Sequence, residues 1–157
     1  GLIHLKCQKN KISETVLKAV KDIYPKARHM GCEIIYREDR EKELWAQFDA
    51  DWTAEAIFNM LDNAVKYSEN ALNKSIILSV RKLGLFAEIS VEDQNGSILE
   101  QEKNRIFQRF YRGENSEGKE GIGLGLYLTR EIALRQGGYV SVKATEYGNI
   151  FSIYLRL

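Results

Sequence analysis

Glu55-Ala-Ile-Phe-Asn59-Met-Leu-Asp-Asn63-Ala-Val-Lys66-Tyr67-Ser68 reads as a helix that is apolar nearly all round. At about 100° per residue, Glu55, Asn59, Asn63 and Lys66 fall within an arc roughly 80° wide. Ala56, Ile57, Phe58, Met60, Leu61, Ala64 and Val65 fill most of the remainder, so the helix is predicted to be buried except along one narrow polar stripe. A stripe that only meets water is usually written in Glu, Lys and Arg. Here two of its positions are Asn, a mediocre helix former whose amide offers both an oxygen and N–H donors. Oxygen for a hard cation, donors for an anion and a carboxylate are thus lined up together. Taken alone, the helix also fits a plain surface strip, or buried polar groups satisfied by their neighbours.

The flanking chain places this helix in a layered fold. Upstream, Ser13 is positioned to cap a helix carrying Val16, Val20, Ile23 and Ala27 on one side, with Pro25 as a kink and Gly31 as its stop. Strands are predicted at 32–37 and 44–48 around the charged turn 38–43, with Asp51 capping the Asn-bearing helix. Downstream, 75–81 and 85–92 alternate as a hairpin around Lys82-Leu83-Gly84. Leu85, Ala87, Ile89 and Val91 share one face of the second strand, and by the same period Asp93 continues it. A carboxylate aimed at the core from a strand end has to find a donor or be neutralised.

Residues 94–97 form a loop leading to a short helix that ends near Phe107. The stretch 113–120 has no apolar residue to hold it down and is expected to be mobile. A helix over 122–136 is closed by Gly137-Gly138, and two last strands, 139–145 and 150–157, turn at 146–149 with Val140, Val142, Phe151, Ile153 and Leu155 inward. About five strands with one apolar face, covered on that face by three helices, make a two-layer α/β sandwich with a mixed, mostly antiparallel sheet.

The 157 residues suit a single domain spanning the whole chain. A net charge of +1, with 23 Lys and Arg against 22 Asp and Glu, predicts no nucleic-acid or polyanion surface. Cys7 and Cys32 stand in no metal-like spacing and read as reduced thiols of a cytosolic domain. No apolar run approaches the roughly 18 residues of a membrane helix. The chain opens at Gly1 rather than Met and reads as a piece of something longer.

Gly121-Ile-Gly123-Leu-Gly125-Leu opens the fourth-quarter helix, where unpaired N–H groups and the helix dipole favour an anion and glycine admits a phosphate closely. By itself it reads better as a Gly-rich turn before a packed helix: it lacks the Gly-Lys-Ser/Thr end of a P-loop, and Leu126 stands where a dinucleotide fingerprint wants glycine.

The order of motifs is more specific. Glu-x-x-x-Asn-x-x-x-Asn-x-x-Lys-Tyr at 55–67, the inward Asp93, Ile106-Phe-Gln-Arg109-Phe-Tyr-Arg112, a polar loop and the glycine turn follow one another. In this the chain, over roughly residues 12–157, resembles the catalytic ATP-binding domain of bacterial sensor histidine kinases, a Bergerat-type fold in the superfamily shared with gyrase-type topoisomerases and with chaperone and mismatch-repair ATPases. The Phe-rich element at 106–112 is what points to the kinases.

The resemblance implies roles at matching positions. Asn59 would bind Mg²⁺, Asn63 and Lys66 the phosphates, and Tyr67 would border the nucleotide. Asp93 would accept from the adenine amino group, with Gly96 and Ile98 following it on the nucleotide side. Gly121, Gly123, Leu124 and Gly125 would line the triphosphate, 113–120 would be a lid, and Phe107 and Phe110 would anchor that lid or dock on the partner helix. Lys66, Arg109 and Arg112 would neutralise charge during transfer. Glu55 is either an orienting or proton-accepting group or a structural carboxylate. Implied as partners are ATP, the phosphoacceptor and dimerisation helices of a parent kinase that is a membrane-anchored homodimer, and a response regulator. Residues 1–12 would be a linker remnant from the phosphoacceptor domain, and this piece a monomer on the cytoplasmic side.

Three departures stand out. Asp93-Gln-Asn95-Gly-Ser97-Ile98 replaces both glycines of the family's Asp-x-Gly-x-Gly-Ile; Gly148-Asn149-Ile150-Phe151 lacks a hydroxyl of the usual last hairpin; and Glu117 and Glu120 put acid in the lid. His4 and His29 lack the acidic residue and the Pro that follow a phosphate-accepting histidine, so the acceptor must lie on another domain. Two other readings stand beside this one: a degenerate regulatory module, and an ATPase or serine kinase of the same superfamily.

Overall fold

The computed structural model describes residues 3–38, 43–94, 96, 100–103, 105–108 and 125–157. The Asn-bearing helix is α2, Ala50–Lys66, and it lies between two others, α1 (Ile12–His29) and α3 (Gly125–Arg135). Its N-cap is Asp49, whose Oδ1 accepts from Trp52 N at 2.9 Å. Asp51, expected to cap it, sits in the first turn, exposed and paired with Lys18. The cap falls earlier because Asp49 keeps the extended backbone of the preceding strand, φ −82° and ψ 112°, and only such a residue can turn its side chain back onto the first free N–H groups.

α1 buries Ile12, Val16, Ala19, Ile23 and Ala27, and runs through Pro25 to His29. Ser13 does not cap it. Lys11 is the N-cap without a side-chain bond, and Ile12 N donates instead to Leu44 O at 3.0 Å. At the other end Gly31 takes φ +73°, with Cys32 N on Ala27 O and Gly31 N on Arg28 O, the paired bonds of a left-handed helix stop. α3 ends the same way on Gly137, φ +76°, and Gly138 follows for a different reason: a Cβ there would lie 1.8 Å from Tyr154 O.

Among the described residues, seven strands form two sheets: β1 (Gln8–Lys11), β2 (Glu33–Glu38), β3 (Trp45–Phe48), β4 (Ser75–Leu83), β5 (Phe86–Asp93), β6 (Tyr139–Ala144) and β7 (Asn149–Arg156). The five-stranded sheet has the order β2-β4-β5-β7-β6, with β2 and β4 parallel and every other neighbour antiparallel. β1 pairs antiparallel with β3 as a separate ribbon. Residues 8–11, within the stretch that reads as linker, are therefore part of the fold. A ribbon this short leaves no periodicity long enough to read.

The three helices cover one face of the large sheet, which makes the two-layer sandwich. Ile76, Leu78, Ala87, Ile89, Val91, Phe151, Ile153 and Leu155 meet Ile57, Met60, Leu61 and Val65 of α2 in one core. The β4–β5 turn is tighter than expected, Gly84-Leu85 with Leu83 paired to Phe86, so Leu85 is 61% exposed instead of sharing the apolar face. Gly84 at φ +61° supplies the left-handed residue such a two-residue turn requires. On the sheet's other face Glu88 is buried and accepts from Arg81 Nε and from Tyr154 Oη, 2.7 Å. Burial, helped by Glu88 and opposed by the Ser141 hydroxyl, pushes the Tyr154 phenol up from its ordinary value.

Candidate functional site

α2 carries the polar stripe as the sequence places it. Glu55 is exposed, Asn59, Asn63, Lys66 and Tyr67 are half-buried, and Ala56, Ile57, Met60, Leu61, Ala64 and Val65 between them are in the core. Half-burial matters because it holds these groups at a boundary, where a ligand rather than bulk water can complete their bonding. Asn59 is the extreme case. Its Nδ2 is buried and has no hydrogen-bond partner among the described residues. A buried N–H without an acceptor costs roughly 1–3 kcal/mol, so a native structure that keeps one has a use for the amide.

Facing Asn59 is the first residue of α3. A Cβ on Gly125 would stand 3.7 Å from Asn59 Cβ and Cγ and 3.8 Å from Oδ1. Thr129, one turn on and fully buried, locks the two helices in this register: its Oγ1 lies 3.0 Å from Gly125 O and 3.2 Å from Ala56 O. Asn59 therefore faces Gly125, the first described residue of α3.

Lys66 approaches Asp62, one turn earlier, at 3.8 Å, and Asp62 also bonds Lys26 of α1. Asp62 was not singled out in the sequence, although its spacing of four from Lys66 is a legible helix pair.

At the other limit of the site, α2 packs on β5, whose last residue is Asp93. Asp93 is 2% exposed, as an inward carboxylate should be. Register pairs it with Asn149, 4% exposed, at the start of β7. Asn149 Nδ2 donates to Gly96 O at 2.8 Å, and Gly96 N donates to Tyr147 O at 3.0 Å. Ile106 and Phe107 are buried, Phe107 lying edge-on to Phe151 with ring centroids 6.3 Å apart. Phe107 is thus an anchor in the core and not a docking group on the surface. Glu100–Glu102 form a 3-10 helix and 105–107 a turn, within the stretch expected to hold a short helix. Ile98, Arg109, Arg112, Gly121, Gly123, Leu124, Phe110 and the stretch 113–120 lie outside the described residues.

Residues 48–157 match the family described as histidine kinase-, DNA gyrase B-, and HSP90-like ATPases. The chain belongs to this ATPase family. Among curated relatives, the signal transduction histidine-protein kinase/phosphatase MprB of Mycobacterium sp. (strain KMS) is 36% identical over 100 residues, 64% of this chain and 19% of that protein. The MprB of Mycobacterium leprae (strain TN) is 31% identical over 101 residues. The chain thus spans about a fifth of the length of the curated relatives it matches. Among solved structures, a mycobacterial sensor histidine kinase MprB superposes with a TM-score of 0.79 at 22% identity, covering 96% of this chain and 97% of that one. Full-length ShkA in complex with AMPPNP superposes with 0.82 at 22% identity, over 99% of this chain and 32% of that one. These likenesses show the fold: the histidine-kinase-type ATPase sandwich that the order of motifs predicts.

The residues of this ATPase domain fit a magnesium ion only in part by themselves. Asn59 offers a hard oxygen, and no group of three or more His, Cys, Asp or Glu that could hold a metal occurs among the described residues. A cation held there takes the rest of its oxygen shell from phosphates and water, which is the usual habit of Mg²⁺.

Proposed function

We propose that this domain binds ATP with Mg²⁺ and transfers the γ-phosphate to a histidine on a separate dimerisation helix domain of a two-component sensor kinase. The reading is carried by one observation, the buried Asn59 amide without a partner among the described residues, set against the glycine start of α3. Family membership and the MprB relatives support it.

In this reading Asn63 and Lys66 hold the phosphates, the N-terminus of α3 with Gly121, Gly123, Leu124 and Gly125 takes their negative charge, and Asp93 accepts from the adenine amino group, with Gly96, Ile98 and Tyr67 around the nucleotide. Asn59 would hold the metal, which would supply positive charge to neutralise the phosphates. Transfer breaks the bond from the γ-phosphorus to the bridging oxygen and forms a phosphorus–nitrogen bond to the imidazole, which loses its proton, while ADP departs. The protein's part is positioning and neutralisation, given to Lys66, Arg109 and Arg112. Glu55, exposed at the start of the stripe, is assigned an orienting role on the acceptor side.

Beyond the domain, the proposal includes a cytoplasmic position in a homodimeric parent anchored in the bacterial plasma membrane, a response regulator downstream, no nucleic-acid partner, and a monomeric state for this piece. Residues 1–157 act as one catalytic unit, joined through the segment before β1 to the phosphoacceptor helices. Among the described residues no helix is long and apolar enough to cross a membrane.

Mixing the domain with a phosphoacceptor helix domain and γ-labelled ATP tests the reaction. The expected product is acid-labile, base-stable phosphohistidine. Label on Ser or Thr, or steady phosphate release with no acceptor labelled, contradicts it.

A further inference from the structure

We infer that Asn149 is a positioning residue for the base end of the nucleotide site, clamping the 93–96 loop onto the β6–β7 turn where the sequence has lost the family's glycines. The inference rests on the reading of Asp93 as the adenine acceptor and goes beyond it by naming what holds Asp93 and its loop in place.

Three contacts join the two segments. Asn149 Nδ2 donates to Gly96 O at 2.8 Å, Gly96 N donates to Tyr147 O at 3.0 Å, and Asn149 is the β-ladder partner of Asp93. Opposed residues in an antiparallel ladder send their side chains to the same face, so Asn149 and Asp93 leave the sheet side by side, both buried. Gly148 lets the turn come this close, since a Cβ there would lie 2.0 Å from Asp93 O. The turn itself is fixed by Thr145, whose N donates to Gly148 O and whose Oγ1 accepts from Gly148 N, both at 2.9 Å.

A hydroxyl at position 149 is shorter than an amide and carries one donor. The Asn side chain reaches across the strand end to Gly96 O, two residues beyond Gln94, and so it ties Gly96 to the start of β7, in a sequence, Asp93-Gln-Asn95-Gly96-Ser97, that has no glycine at 95 and 97. The two changes from the family pattern are on this account one compensating pair. Clamping acts only at the base end, because the stripe on α2 and the start of α3 hold the phosphate end through separate contacts.

The experiment is a calorimetric titration of the 157-residue protein with ATP·Mg²⁺ and, separately, with tripolyphosphate·Mg²⁺, which has no base. Asn149→Ala and the near-isosteric Asn149→Leu, which keeps the volume and lacks the donor, are each expected to weaken ATP about three- to tenfold, the loss of one hydrogen bond, and to leave tripolyphosphate unchanged. Amide exchange at Gly96, measured without nucleotide, is expected to speed up in both variants. Equal ATP affinity in the variants, or an equal loss for ATP and tripolyphosphate, overturns the clamp while leaving the site reading intact. Failure of the unaltered protein to bind ATP overturns the site reading and the clamp with it.

Discussion

Gly125, at the start of α3, stands against the Asn59 side chain of α2, so that an added Cβ would come to 3.7 Å from Asn59 Cγ. That spacing is ordinary van der Waals contact, and it separates two substitutions. Gly125→Ala is expected to leave stability unchanged or raise it by up to about 1 kcal/mol through helix propensity. Gly125→Val sends γ-carbons onto the Asn59 amide and is expected to weaken ATP·Mg²⁺ about tenfold, roughly 1.4 kcal/mol. Thermal melts with nucleotide titrations check both. Undiminished binding by the Val variant would place the ligand elsewhere.

Asn59 separates stability from function more sharply. Because its Nδ2 is buried without a partner among the described residues, Asn59→Ala removes a polar group that the fold does not use. The variant is expected to stay within about 1 kcal/mol of the parent in denaturant. Its ATP affinity should become nearly independent of Mg²⁺, whereas the parent's should fall when the metal is chelated.

Asp93 is buried, and Asn fills nearly the same volume, so Asp93→Asn is a mild change to the core. Its effect on the nucleotide is not mild. A charged acceptor for the adenine amino group is replaced by a neutral one, and ATP affinity is expected to drop about tenfold or more. Competition between ATP and GTP in the variant reads this directly, since the preference for adenine should shrink.

Two glycines report on the scaffold. Gly138→Ala drives a methyl to 1.8 Å from Tyr154 O and is expected to cost about 2 kcal/mol or more. Gly84 has open space around it but φ +61°, so Gly84→Ala carries only the left-handed penalty of about 1–2 kcal/mol. Urea unfolding of both variants should rank Gly138→Ala as the more damaging.

The layers of the fold were legible because the core-facing residues recur at periods the eye can count: Ala87, Ile89, Val91 and Asp93 at two, Val16, Val20, Ile23 and Ala27 at four, three and four. What hid was set by contacts distant in sequence. Asp49 rather than Asp51 caps α2 because β3 delivers it in extended backbone, and its carboxylate also accepts from Lys6 N at 2.7 Å. Ser13 loses its capping role to a backbone bond from Ile12 to Leu44. β1 exists only because β3 lies beside it.

The candidate site divides the same way. The α2 stripe and the inward Asp93 followed from one helix and one strand. Thr129 and Gln136 did not: Thr129 pins α3 to α2, and Gln136 bonds Thr53 Oγ1 at 3.1 Å and Asp49 N at 2.7 Å. No spacing in the sequence links residues so far apart. Asn149 drew notice as a missing hydroxyl, while the amide that replaced it reaches Gly96.

A crystal structure of this domain with a non-hydrolysable ATP analogue and Mg²⁺ tests the central claim most directly. The triphosphate is expected between the Asn59–Lys66 stripe and the Gly125 end of α3, with the metal on Asn59 Oδ1 and the adenine amino group on Asp93. A triphosphate bound anywhere else, or a metal with no bond to Asn59, would contradict it.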